Sequence, residues 1–179
     1  MSGSIPKNLG NLGELFKFSI YGSNISGFIT SEIGNCSKLE WLDLGGNKIQ
    51  GSLPMSLFQL PLFTLSLPEN GLFCDIPIAI ANLRYLTLLD LRTNMFYGSI
   101  PKGITKCTSL KRLKVSQNKL SGNLDIDFPK SMEVLSVDSN NLCGTLPASL
   151  AKCTNLQLLD LRKKYSRGSY PRILHSCMT

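Results

Sequence analysis

The residues best suited to chemistry in this chain are cationic and aromatic. Arg112 and Lys114 alternate within Cys107-Thr108-Ser109-Leu110-Lys111-Arg112-Leu113-Lys114-Val115, and Arg92 stands on the preceding repeat. Alternate residues of an extended segment project from one face, so Arg112 and Lys114 point together. Three cations gathered there would hold a carboxylate by charge-assisted hydrogen bonds, although Lys114 lacks the planar fork of arginine. Asp90 and Asp138 stand near enough in the pattern to neutralise the patch. Tyr21 and Trp41 are outward aromatics on adjacent repeats, suited to anchoring a peptide or protein, and Asp43 shares the face of Trp41. No catalytic set accompanies them. The only histidine, His175, lies in the final residues, and the outward aspartates have no paired carboxylate for acid–base work. There is no nucleophile elbow, phosphate loop or kinase signature. The reading is a binding protein that is not an enzyme and needs no cofactor.

A repeat of 22 to 24 residues supplies the elements that hold these side chains. Apolar anchors recur at Phe18, Leu42, Leu65, Leu89, Leu113, Leu135 and Leu159, and two residues later at Ile20, Leu44, Leu67, Leu91, Val115, Val137 and Leu161. This alternation predicts seven short strands, apolar inward and variable outward. Three residues further on come Asn47, Asn70, Asn94, Asn118 and Asn140, with Ser23 and Lys164 in the outermost copies. An amide carries donors and an acceptor, so stacked asparagines predict a ladder joining each coil to the next where the chain turns inward. Ser23 and Lys164 predict weaker end coils. A glycine column (Gly3, Gly27, Gly51, Gly98, Gly122, Gly144, Gly168) predicts a turn, and a proline column (Pro6, Pro54, Pro77, Pro101, Pro147, Pro171) an extended outer segment. A period in this range means a solenoid, which buries its leucines only by stacking.

The pattern resembles the leucine-rich repeat family, and within it the plant-type class LxxLxLxxNxLxGxIPxxLxxLxx. Gly51-Ser52-Leu53-Pro54, Gly98-Ser99-Ile100-Pro101 and Gly144-Thr145-Leu146-Pro147 carry the class-specific half. The departures are Thr30 and Asp125 in place of proline, Cys74 in place of glycine, and a unit from Leu110 that is two residues short. The resemblance implies an α/β right-handed solenoid of about seven repeats, with a parallel concave sheet, over residues 1–179. It also implies the extracellular recognition segment of a receptor-like kinase or receptor-like protein, acting in signalling or defence. Its partner would be a peptide or protein on the concave face, with a possible co-receptor. Tyr21, Trp41, Asp43, Asp90, Arg92, Arg112, Lys114 and Asp138 are the candidate contacts. Arg112-x-Lys114 is similar to an Arg-x-Arg pair with which several plant peptide-hormone receptor kinases grip a terminal carboxylate. The stretch from Phe128 to Leu135 is similar to receptor-like proteins. Alternatives are a soluble apoplastic inhibitor of cell-wall-degrading enzymes, or a truncated decoy or scaffold.

Composition narrows the partners further. Net charge is +7. Lys163, Lys164, Arg167 and Arg172 contribute four of these charges in residues 163–179, which hold no acid and read as a degenerate last repeat. No aromatic-interleaved basic motif points to nucleic acid. No apolar run reaches the length of a membrane span. The chain opens inside a repeat without a signal peptide and closes inside one, so it is expected to be an internal piece of a longer protein or a truncated product. Uncapped ends would expose Leu9, Leu12 and Leu174 and favour aggregation. Cys36, Cys107, Cys153 and Cys177 share one repeat position and are expected to be reduced, buried thiols, a repeat or more apart and so not a metal site. The period thus argues against disulfides, while Cys74 and Cys143 sit near the glycine turn, where the pattern leaves their state open.

Asn24-Ile25-Ser26 and Asn35-Cys36-Ser37 are acceptor sequences for N-glycosylation. Chain secreted from plant cells is expected to carry glycan on Asn35. Treatment with a glycosidase active on plant glycans should increase gel mobility, and Asn35→Gln should remove that shift. Unchanged mobility of the parent protein would contradict the assignment.

Overall fold

The computed structural model describes residues 2–162, so His175, Cys177, Leu174 and the basic end at 163–179 lie outside the described residues. Seven parallel strands build the concave sheet: Lys17–Ser19, Trp41–Asp43, Thr64–Ser66, Leu88–Asp90, Arg112–Lys114, Val134–Ser136 and Leu158–Asp160. We number the coils 1 to 7 by these strands. Their spatial order follows chain order with no crossover, and their registers align residue for residue, so that Phe18, Leu42, Leu65, Leu89, Leu113, Leu135 and Leu159 form one row. The row's five central members, Leu42 to Leu135, are fully buried. The row opens at its ends, where Phe18 is half-buried and Leu159 is 41% exposed. Leu12, expected to be exposed, is so, whereas Leu9 packs in part against the core.

The return path of most coils is a short 3-10 helix. Six occur among the described residues: Lys7–Asn11, Ser31–Asn35, Met55–Gln59, Ile78–Asn82, Lys102–Lys106 and Ala148–Lys152. Five follow a proline, whose preset φ suits the extended entry and whose missing N–H leaves nothing unpaired. Thr30 enters its helix with φ −82° and ψ 154°, so the proline is convenient rather than required. Where Asp125 stands instead, no 3-10 helix forms. The shortened segment is tied to its neighbour through the buried Ser149, whose hydroxyl donates to Ile126 O at 3.0 Å and accepts from Phe128 N at 3.4 Å.

The glycine column does more than turn the chain. Gly3–Ser4, Ile25–Gly27, Lys48–Gly51 and Gly71–Leu72 pair into a second parallel sheet, and Ser121–Asn123 pairs with Asn141–Cys143. Its register steps by two residues per coil, Gly3 facing Ile25 and Gly122 facing Leu142. Gly51 takes φ 84° and leaves room for the ring of Phe28, which would lie 2.6 Å from a Cβ there. Cys74 fills the glycine position in coil 3, and there only the single bridge Asp75–Tyr97 remains.

The asparagine ladder forms as expected. The amide of Asn94 donates to Leu91 O and Arg92 O in its own coil, at 3.1 and 3.2 Å, and to Leu67 O of the preceding coil at 2.9 Å. Its oxygen accepts from Leu72 N at 3.1 Å. Asn47, Asn70, Asn118 and Asn140 repeat the arrangement. Ser23 cannot: its hydroxyl reaches only Tyr21 O, within its own coil. The residue before each ladder position is left-handed, with φ from 54° to 55° at Glu69, Thr93, Gln117 and Ser139. This conformation costs a non-glycine residue on the order of 1 kcal/mol or more, and it carries no signature in residue type.

The cysteine column is reduced and buried at Cys36, Cys107 and Cys153. Each thiol also donates back to a carbonyl of the preceding coil: Cys36 to Leu9 O at 3.4 Å, Cys107 to Ile80 O at 3.2 Å and Cys153 to Pro129 O at 3.4 Å. Cys74 is a free buried thiol as well. Cys143, whose state the repeat pattern left open, is disulfide-bonded, which corrects the general expectation against disulfides. It lies half-buried at the end of a strand of the second sheet, whereas the free thiols are sealed in the core.

Asn94→Ala leaves the buried Leu72 N–H without its acceptor and removes one of two donors from each of three carbonyls, and is expected to cost about 2 kcal/mol in urea unfolding, against less than about 0.5 kcal/mol for the exposed Asn155→Ala. Thr93→Asn should instead stabilise by up to about 1 kcal/mol, since asparagine tolerates the left-handed region better than a β-branched residue. Burial pushes the Cys107 thiol up to about 11 from an ordinary value of 9.0. The unfolded chain then releases a proton that the fold retains, so this contribution is complete below about pH 9 and declines as pH rises toward 11. The loss should be on the order of 2 kcal/mol, and Cys107→Ala should flatten the pH profile of unfolding across that window.

Candidate functional site

The strand registers turn the outward residues into three rows across the concave face. The first runs Lys17, Trp41, Thr64, Leu88, Arg112, Val134, Leu158, and the second Ser19, Asp43, Ser66, Asp90, Lys114, Ser136, Asp160. The third, two residues beyond, runs Tyr21, Gly45, Pro68, Arg92, Ser116, Asp138, Arg162. Adjacent strands lie about 4.8 Å apart, so an extended ligand crossing the rows meets a new coil at each step.

Coils 1 and 2 carry the aromatic end. Trp41 is 39% exposed and Tyr21 58%. Lys17 Nζ lies 4.7 Å from the centroid of the Trp41 ring, a cation–π contact that the strand pattern alone did not single out. Tyr21 leans across Gly45, where a Cβ would meet Tyr21 Cε2 at 2.8 Å and Pro68 Cγ at 2.9 Å. Glycine at 45 therefore allows the ring to lie on the backbone. Asp43 accepts the Gly45 N–H on Oδ1 at 3.2 Å and makes no ion pair among the described residues.

The cations of coils 4 and 5 do not converge as one free cluster. Arg92 folds back on the buried Asp90, with Nε 2.9 Å from Oδ1 and Nη2 2.7 Å from Oδ2. The hydrogen bond to Asp90 raises the Arg92 pKa further. Coil 7 repeats the fork between Arg162 and Asp160, at 2.9 and 2.6 Å. Arg112 lies 3.7 Å from Glu133, which also holds Lys111 at 3.1 Å. Lys114, beside them on the second row, has no ion pair among the described residues. Asp138 turns to hydroxyls instead, accepting from Ser136 and Ser139 at 3.3 and 3.2 Å.

Compensation of the basic patch thus comes from Asp90 and Glu133. Glu133 shares a column of the repeat with Lys111, so the register contained the signal. It stands one residue before the sixth strand, where the inside–outside alternation has not yet begun, and the rule that selects outward strand residues passes over it. The sequon residues Asn24 and Asn35 are both exposed and lie away from these rows.

Comparison with known proteins agrees with this architecture. The Leucine Rich Repeat family model matches residues 38–60 and 131–153. Receptor-like protein 34 of Arabidopsis thaliana is 37% identical over 129 residues, which is 71% of this chain and 13% of that protein. The chain spans less than a fifth of the length of the curated relatives it matches. The ectodomain of the Arabidopsis receptor kinase HAESA, solved with an N-terminally extended IDA peptide hormone, superposes with a TM-score of 0.86 at 33% identity, covering 91% of this chain and 28% of that one. In the Arabidopsis BIR3–SERK2 complex, the matched chain is 32% identical with a TM-score of 0.64, over 72% of this chain and 70% of that one.

Proposed function

The chain belongs to the leucine-rich repeat family, and we propose that it is a ligand-recognising segment of a plant receptor ectodomain, of the receptor-like protein or receptor kinase kind. It recognises an extended peptide or a protein loop on the concave face, on the extracellular side, and performs no chemistry itself. Pairing with a co-receptor follows ligand capture; HAESA has been solved in complex with the peptide hormone IDA and the co-receptor SERK1. One observation carries the reading. Seven strands in unbroken register present exposed Tyr21 and Trp41 at one end and the basic coil 5 toward the other. A peptide crossing coils 2 to 5 would span about 14 Å at 4.8 Å per step, or about four extended residues.

Arg112 and Lys114 are proposed to receive a carboxylate of that ligand. The carboxylate would displace Glu133 from Arg112, since an exposed ion pair at 3.7 Å is worth little. Peptides with free and amidated C-termini, titrated against the full chain while Trp41 fluorescence is followed, test this. The free acid should bind at least tenfold more tightly, and Arg112→Ala with Lys114→Ala should erase the difference. Equal affinities in the parent chain would remove coil 5 from the site.

A further inference from the structure

Asp43, Asp90 and Asp160 occupy the same position of the repeat, the last residue of their strands. In all three, Oδ1 accepts the backbone N–H two residues onward, at 3.2, 3.2 and 3.3 Å, which sets the carboxylate in one pose. In coils 4 and 7 that second residue is arginine, and its guanidinium closes a two-pronged fork on the carboxylate. In coil 2 it is Gly45. The carboxylate of Asp43 is therefore held as its two counterparts are, but among the described residues no guanidinium closes on it.

The space that an arginine would take there is shaped by aromatic groups. The edge of the Tyr21 ring occupies the point where the arginine stem would begin. Trp41, two residues before Asp43 on the same face, already accepts a cation on its ring from Lys17. Lys17 lies on the first row and forms no ion pair with Asp43.

We propose that Asp43, walled by Tyr21 and Trp41, is the docking site for an arginine side chain of the ligand, which places its guanidinium as Arg92 and Arg162 place theirs. Two features favour arginine over lysine. A fixed carboxylate matches the planar fork with two parallel N–H···O bonds, and a guanidinium stacks on an aromatic wall where an ammonium stays hydrated. The site rests on the concave-face reading above and names the ligand chemistry at its aromatic end.

The test uses isotope-labelled full chain and the capped tripeptide acetyl-Ala-Arg-Ala-amide, with its lysine and citrulline analogues, followed by NMR. The arginine peptide should shift the Gly45 and Gly46 amides and the Trp41 indole N–H, saturating in the millimolar range. Citrulline, which keeps the shape but not the charge, should bind at least tenfold more weakly, and lysine severalfold more weakly. Asp43→Asn should also lose at least tenfold, and its fold should survive because the amide oxygen still accepts the Gly45 N–H. If the arginine and citrulline peptides bind alike, the assignment is wrong whatever the variant does. Lysine binding as tightly as arginine, or shifts confined to other carboxylates, would also overturn it. A longer peptide held on the concave face equally by the parent and Asp43→Asn would leave the concave-face reading intact and remove this one.

Discussion

Everything in this solenoid depends on pairing the backbone where it dives inward. The turn after each strand carries N–H and C=O groups into the core, where water cannot reach them. One side-chain amide per coil, as at Asn94, takes up three carbonyls and one N–H from two successive coils. Because each amide serves its neighbour as well as itself, the ladder sets the stacking register. The register in turn aligns the concave strands, and aligned strands make straight rows of side chains. The left-handed residues at Glu69, Thr93, Gln117 and Ser139 show how strongly this requirement acts, since the backbone bends there against the preference of the residue present.

That dependence explains what could be read from residues alone. Columns that repeat because the core demands them were legible: the leucine row, the asparagine ladder and the buried cysteines. The second sheet was not, because Gly27, Gly51 and Gly122 signal a positive φ without saying that strands flank it. The left-handed positions were invisible because their residue types vary. The loss of a helix at Asp125 was half visible as a missing proline, yet Thr30 lacks the proline too and keeps its helix. A single substitution therefore did not decide the outcome, while the two-residue shortening accompanied it.

At the candidate site, the positions of the outward residues were legible and their pairings only in part. Asp90 was foreseen as a neutraliser of the patch that holds Arg92, but the closed two-pronged fork between them was not. Spaced two apart on an outward face, they satisfy one another first. The same logic separates Asp43 from its counterparts: what distinguishes it is Gly45, a residue with no side chain of its own. In a repeat protein the chain contains its own controls, and comparing coils at one position shows which group departs from its usual company. Arg112 and Lys114 differ in just this way, one sharing Glu133 and the other unpaired among the described residues.

The missing 3-10 turn after Leu124 bears on shape. A curved stack of coils behaves like an arch, in which each block is a wedge whose outer edge is thicker than its inner edge. Five of the six connections between the seven concave strands carry a helical turn at that outer edge, and the block between Lys102–Lys106 and Ala148–Lys152 has extended chain instead. A thinner outer edge makes a flatter block. The arch should therefore straighten locally where Arg112, Lys114 and Glu133 meet, so that a rigid ligand lying along the face finds its longest straight seat there.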